Sequence, residues 1–132
     1  MKKSNFKSLM LCAAAAAFLL SAMPGDQVIS KEGKSVVVNT TSITKSVKGY
    51  MSTTPLKIYI TNNKIEKIEA LPNQETPKYF TKVKKQMLDK WNGMTVNKAI
   101  KAKVDGVTGA TLSSDAVRKN VVQGLEYYKK NK

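Results

Sequence analysis

Histidine is absent from this chain of 132 residues, and cysteine occurs once, at Cys12. Without histidine, Ser-His-Asp and Cys-His nucleophile arrangements are excluded, as is any imidazole metal site. Cys12 lies in an apolar run near the start, so everything after it lacks a disulfide frame, a thiol nucleophile and a thiolate ligand. Lipidation of Cys12 is not expected, because Leu11 is a poor residue to precede an acylated cysteine and the apolar stretch before it is very short. Carboxylates are few, nine against 23 Lys and Arg, and none falls in a calcium-loop pattern. No catalytic side chain and no metal site are therefore expected. Any chemistry done here must use the reactive atoms of a carried cofactor.

Arginine is scarce too: Arg118 is the only one. The formal charge is +14, falling to +11 without Lys2, Lys3 and Lys7, and it is almost entirely lysine. Nucleic-acid readers favour arginine and interleaved aromatics, so no nucleic-acid partner is expected. Lys82, Lys84, Lys85 and Lys90 spread around a helical segment and read as a solvated basic surface. Such a surface favours anionic cofactors, acidic partners or anionic lipid.

The length suits one small domain. Residues 1–25 read as a secretory signal peptide, with a positive start at Met1–Lys7, an apolar run from Ser8 to Met23 and a break at Pro24-Gly25. Cleavage is expected between Ala22 and Asp26, since the run is short for a membrane span. The protein is thus expected to be exported, periplasmic or at the cell surface, and membrane-associated if the signal remains as an uncleaved anchor.

Residues 26–48 read as an N-terminal extension or first strand, with a β-like run at Ser35–Asn39. Leu56, Ile58 and Ile60 alternate with polar neighbours, and Ile65, Ile68 and Leu71 follow a tight turn at Asn62-Asn63, which predicts a hairpin. The three-residue step from Ile65 to Ile68 predicts a bulge or a strand end. Thr76 and Pro77 start a helix in which Phe80, Val83, Met87 and Trp91 recur at helical spacing up to Asn92-Gly93. Tyr79, Phe80 and Trp91 all read as core, with ring stacking on a cofactor as the other use of such aromatics. Met94 to Ile100 is ambiguous. A last helix from about Ser114 to Tyr128 shows a stripe of Val117, Val121, Leu125 and Tyr128. Strands before helices predict an α+β fold, a small antiparallel sheet built on a β-hairpin and packed against two or three helices.

The densest cluster of small residues is Asp105-Gly106-Val107-Thr108-Gly109-Ala110-Thr111, leading into that helix. Glycine there permits unusual backbone angles, and Ala110 keeps the approach open. Thr108 and Thr111 project hydroxyls, and a helix N-terminus favours an anion. Ser113 or Ser114 is expected to cap the helix. On the residues alone, the stretch serves equally as a phosphate-holding loop or as a plain helix cap. It fits neither GxGxxG nor GxxxxGK[ST].

The stretch resembles the Asp-x-x-(Ser/Thr)-Gly-Ala-(Thr/Ser) motif of the FMN-binding domain family. That family includes the covalently flavinylated C subunit of sodium-pumping NADH:quinone reductase and the G subunit of the Rnf complex. The order of Gly49-Tyr50, the hairpin, Glu75-Thr76-Pro77, the motif and the last helix extends the resemblance from about Gly49 to Tyr128, within a domain at 49–132. The resemblance implies FMN joined by a phosphoester to the Thr111 hydroxyl. A separate magnesium-dependent flavin transferase with FAD as donor makes that bond. Thr108, Gly109 and Ala110 would form the loop around the attachment point, and Asp105 would help the transferase recognise it. Glu75 and Thr76 match a segment near the flavin.

The implied function is an exported electron-transfer module, an oxidoreductase-class carrier and not a complete enzyme. It would pass electrons between a membrane-bound donor and a separate reductase or acceptor. The chain is much shorter than the sodium-pump subunit and shows no membrane helix after the signal, so membership of that pump is not implied. Two alternatives remain: a non-catalytic basic binding module, and a small reductase with non-covalent FMN.

Overall fold

A computed structural model describes residues 27–132, and the segment expected to be a signal peptide, with Cys12, lies outside the described residues. Four strands, β1 (Ile29–Glu32), β2 (Ser35–Asn39), β3 (Leu56–Thr61) and β4 (Lys64–Ala70), form one antiparallel sheet in that order. They are followed by helix α1 (Pro77–Gln86), a 3-10 turn (Leu88–Trp91), α2 (Val96–Lys101) and α3 (Thr111–Asn131). The architecture is α+β, as the order of sequence patterns predicts.

The β3–β4 hairpin forms where alternation and turn chemistry place it. Asn62 and Asn63 both have positive φ, 52° and 63°, the pair of values a tight hairpin turn of primed type needs. The spacing of Ile65 and Ile68 produces a bulge: Ile60 pairs with Ile65 and Ile58 with Ile68, leaving Glu66 as the extra residue. The bulge returns both isoleucines to the buried face. Residues 27–48 contribute β1 and β2, joined by a turn at Gly33 with φ 61°. The sequence pattern misses β1 because Ile29 is the lone apolar residue of its four.

The core lies on one face of the sheet. Val38, Leu56, Ile58, Ile60, Ile65 and Ile68 meet Phe80, Val83, Met87 and Trp91 and the α3 stripe of Val117, Val121, Leu125 and Tyr128. α3 lies close to β2 and β3 at Gly124, where an added Cβ would stand 2.9 Å from both Ile58 Cδ1 and Thr40 Cγ2.

A buried polar cluster fastens the chain before β3 to α3. Asn120 Oδ1 accepts from Thr40 Oγ1 at 2.6 Å and from Thr44 Oγ1 at 2.7 Å. Its Nδ2 donates to Ala116 O at 3.0 Å and to Thr54 Oγ1 at 3.3 Å. Thr40 Oγ1 also accepts from Leu56 N at 2.9 Å, at the first residue of β3.

Candidate functional site

α3 begins at Thr111, three residues earlier than its apolar stripe suggests, and this corrects the expected capping. Gly109 takes φ 85°, and Ala110 N donates to Val107 O at 3.0 Å, so the chain turns sharply into the helix. The N-cap is Ala110, which has no side-chain acceptor to offer. Ser113 and Ser114 lie inside the first turn and are buried. Ser114 Oγ accepts from Val107 N at 2.9 Å and so pins the loop instead of capping the helix. Gly106 leaves room for this, because a Cβ there would stand 3.0 Å from Ser114 Cβ.

Thr111 is thus the first residue of a 21-residue helix that has no side-chain cap, and it is exposed. Among the described residues no hydrogen bond engages its hydroxyl. The unpaired N–H groups of a first helical turn and the positive end of the dipole meet at this point. A cleft of about 410 Å³ opens there, lined by Gly109, Ala110, Thr111, Leu112 and Ser113 with Tyr50 and Tyr79. Tyr50, Leu112 and Tyr79 are 65%, 55% and 40% exposed. With Met51, at 62%, they are all the exposed large hydrophobic residues among the described residues.

Tyr79 corrects the expectation that it joins the core. Phe80 and Trp91 are buried, but Tyr79 lies one helical step from Phe80 and faces the cleft. An aromatic one position off the buried stripe turns about 100° away from it.

Glu75 does not line this cleft but bonds two residues that do, Tyr50 and Ser113, and is only 5% exposed. Its Oε1 accepts from Tyr50 N at 2.8 Å and from Ser113 Oγ at 2.5 Å. Its Oε2 accepts from Met51 N at 2.5 Å and from Ser52 N at 2.8 Å. Burial alone would push this carboxyl up. The Ser113 hydroxyl and the N–H groups of Met51, Tyr50 and Ser52 outweigh burial and hold it below the usual carboxylate range. Gly49 makes the arrangement possible, since a Cβ there would lie 2.1 Å from Glu75 Oε1.

The other residues singled out in the sequence are not at the cleft. Thr76 is the N-cap of α1, without a side-chain cap bond. Thr108 is exposed in the loop but does not line the cleft. Asp105 lines two other clefts, of about 660 and 700 Å³, together with Lys103 and Gly106, and these share no residue with the Thr111 cleft. Arg118, in the first of them, donates to Val104 O at 2.9 Å and pairs with Asp115. In sequence, Ser113 or Ser114 reads as a helix cap and Gly49-Tyr50 only as part of an order of segments. The signal the sequence offers is a glycine directly before an aromatic, Gly49-Tyr50.

An uncapped helix start with a free hydroxyl, beside an open aromatic cleft, defines a domain suited to a ligand that is both phosphorylated and planar. Residues 49–126 match the family model described as the FMN-binding domain, and the chain belongs to that family. It is a flavin-binding electron-transfer module. No curated protein and no solved structure matches the chain. The cleft suits FMN at both ends: Thr111 and the α3 N–H groups for the phosphate, Tyr50, Tyr79 and Leu112 for the ring. No helix among the described residues is long and apolar enough to cross a membrane.

Proposed function

We propose that the protein is exported and carries FMN through a phosphoester to Thr111. The observation that carries this reading is the exposed Thr111 hydroxyl at an uncapped helix start, in a chain of the FMN-binding domain family. Bound FMN supplies the capacity to accept and donate electrons. The chain's own residues hold it: Thr111 provides the anchoring oxygen, α3 offers its positive end to the phosphate, and Gly109 with Ala110 keeps side chains out of the way.

Neither histidine nor cysteine is available to deprotonate the hydroxyl, and a neutral threonine is a weak nucleophile. An outside enzyme suits so weak a nucleophile, and the family resemblance implies a separate magnesium-dependent flavin transferase that makes the bond. The Thr111 oxygen bonds to the FMN phosphorus of FAD, the pyrophosphate bond breaks, AMP leaves, and the transferase takes the hydroxyl proton. Asp105, exposed and away from the cleft, is free to meet that enzyme. A tether also prevents loss of the cofactor by dilution outside the cytoplasm. Electrons arrive from a membrane-bound donor and leave to a separate reductase or acceptor.

The test is mass spectrometry of the full chain, exported from cells that also express a flavin transferase. The expected Thr111 peptide is heavier by one FMN less water, and its fluorescence survives denaturation and vanishes in Thr111→Ala. A mature N-terminus between Ala22 and Asp26 is expected. An unmodified Thr111 peptide overturns covalent attachment, and a yellow protein that bleaches on denaturation replaces it with the non-covalent reductase.

A further inference from the structure

The loop bearing Tyr50 has almost nothing apolar to hold it. Tyr50 and Met51 both point to solvent, and the loop's own bonds are few: Gly49 N donates to Ser52 O at 2.8 Å, and Lys48 bridges Thr53. The N–H groups of Tyr50, Met51 and Ser52 turn inward instead, onto one carboxylate. That carboxylate also accepts from Ser113, two residues beyond Thr111 on α3. Burying a charged side chain is costly, and this one directs its bonds only at the loop and the start of α3.

From this arrangement we infer that Glu75 is a positioning residue for the flavin ring: it holds the 50–52 loop against the α3 start so that Tyr50, with Tyr79, takes the planar ring in the cleft. The inference rests on attachment of FMN at Thr111. Ser113 is the link that keeps loop and anchor in one frame. The ring is then held by one face of aromatic surface on the loop and another on α1. Its phosphate is fixed separately at Thr111. Glu75→Gln would present an amide donor where Oε2 now receives two N–H groups, leaving at least one of them without an acceptor.

The test uses the full chain, exported with a flavin transferase, and two readouts. Mass spectrometry reports flavin on the Thr111 peptide, and time-resolved flavin fluorescence reports ring stacking, because a ring on tyrosine decays fast and a free ring slowly. In Tyr50→Ala and in Glu75→Gln, the ratio of fast to slow components is expected to fall about fivefold, the equilibrium equivalent of one aromatic contact. Tyr50→Phe keeps the ratio, and the Tyr50→Ala/Glu75→Gln double variant falls no further than either single one. Ser113→Ala, which deletes one hydroxyl, carries the test if Glu75→Gln does not fold. Flavinylated Tyr50→Ala with an unchanged ratio overturns the inference. A fall in Tyr50→Ala but in neither Glu75→Gln nor Ser113→Ala overturns the role of Glu75. A Thr111 peptide without flavin in the parent protein overturns the attachment reading, and this inference with it.

Discussion

Two polar clusters are buried against α3, and they differ in charge and in what they hold. Around Asn120 the partners are neutral: Thr40, Thr44 and Thr54 and the Ala116 carbonyl, all deep in the fold. The cluster fastens the segment before β3 to the middle of the helix. Around Glu75 the acceptor is a carboxylate, and its partners are a solvent-facing loop and the first turn of the same helix. A neutral network costs little to bury once satisfied and is indifferent to pH. A charged one holds more strongly per bond and titrates. The molecule thus uses the neutral cluster where only stability is needed, and the charged one where a loop must be held without help from packing.

The largest effect is expected from breaking the neutral cluster. Asn120→Leu leaves the Thr40 and Thr44 hydroxyls facing an apolar side chain. It should cost about 3 kcal/mol, read by urea unfolding, while the protein that remains folded still loads flavin. Glu75→Gln is expected to cost about 2 kcal/mol at neutral pH by the same measurement, and its cost depends on pH where that of Asn120→Leu does not. The sign follows from the lowered Glu75 pKa. Stability from the charged cluster is complete above the ordinary carboxylate value and is lost as pH falls through the lower folded-state value. The difference in stability between parent and Glu75→Gln should therefore shrink on acidification from about pH 5 downward.

Two threonines at helix starts sharpen the contrast at smaller scale. Thr95 caps α2, its hydroxyl accepting from Lys98 N at 3.2 Å, so Thr95→Ala should cost about 1 kcal/mol and leave flavin loading intact. Thr111 opens α3 without such a bond. Thr111→Ala should change stability by no more than about 0.5 kcal/mol yet remove all covalent flavin. A large loss of stability in Thr111→Ala would show a structural duty that the geometry does not suggest.

Much of the fold was legible because its signals are local. The β3–β4 alternation, the Asn62-Asn63 turn, the spacing that produces the bulge at Glu66 and the Thr76-Pro77 start of α1 each lie within a few residues. The start of α3 at Thr111 is not legible in the sequence, because its first turn carries no apolar period. Ser113 and Ser114 look like caps in sequence, but the loop before them turns at Gly109, Ser114 Oγ accepts from Val107 N in that loop, and Ser113 Oγ donates to the distant Glu75. The site was half legible. The motif placed Gly109, Ala110 and Thr111 together, whereas the Glu75 cluster joins residues 25 and 38 positions apart, and no local pattern encodes that. In sequence Tyr79 reads inward with its neighbour Phe80, since proximity to a core stripe hides a one-residue rotation.

The Thr40 hydroxyl has a consequence for where the molecule can be cut. The family match begins at Gly49, yet β2 pairs with β3, and Thr40 serves both Leu56 N and Asn120. A fragment trimmed to the matched residues would turn a central strand into an open edge of alternating isoleucines, a template for pairing with other copies. The stretch that the family model matches is therefore shorter than the folded unit, and truncation at the family boundary should give an aggregating protein.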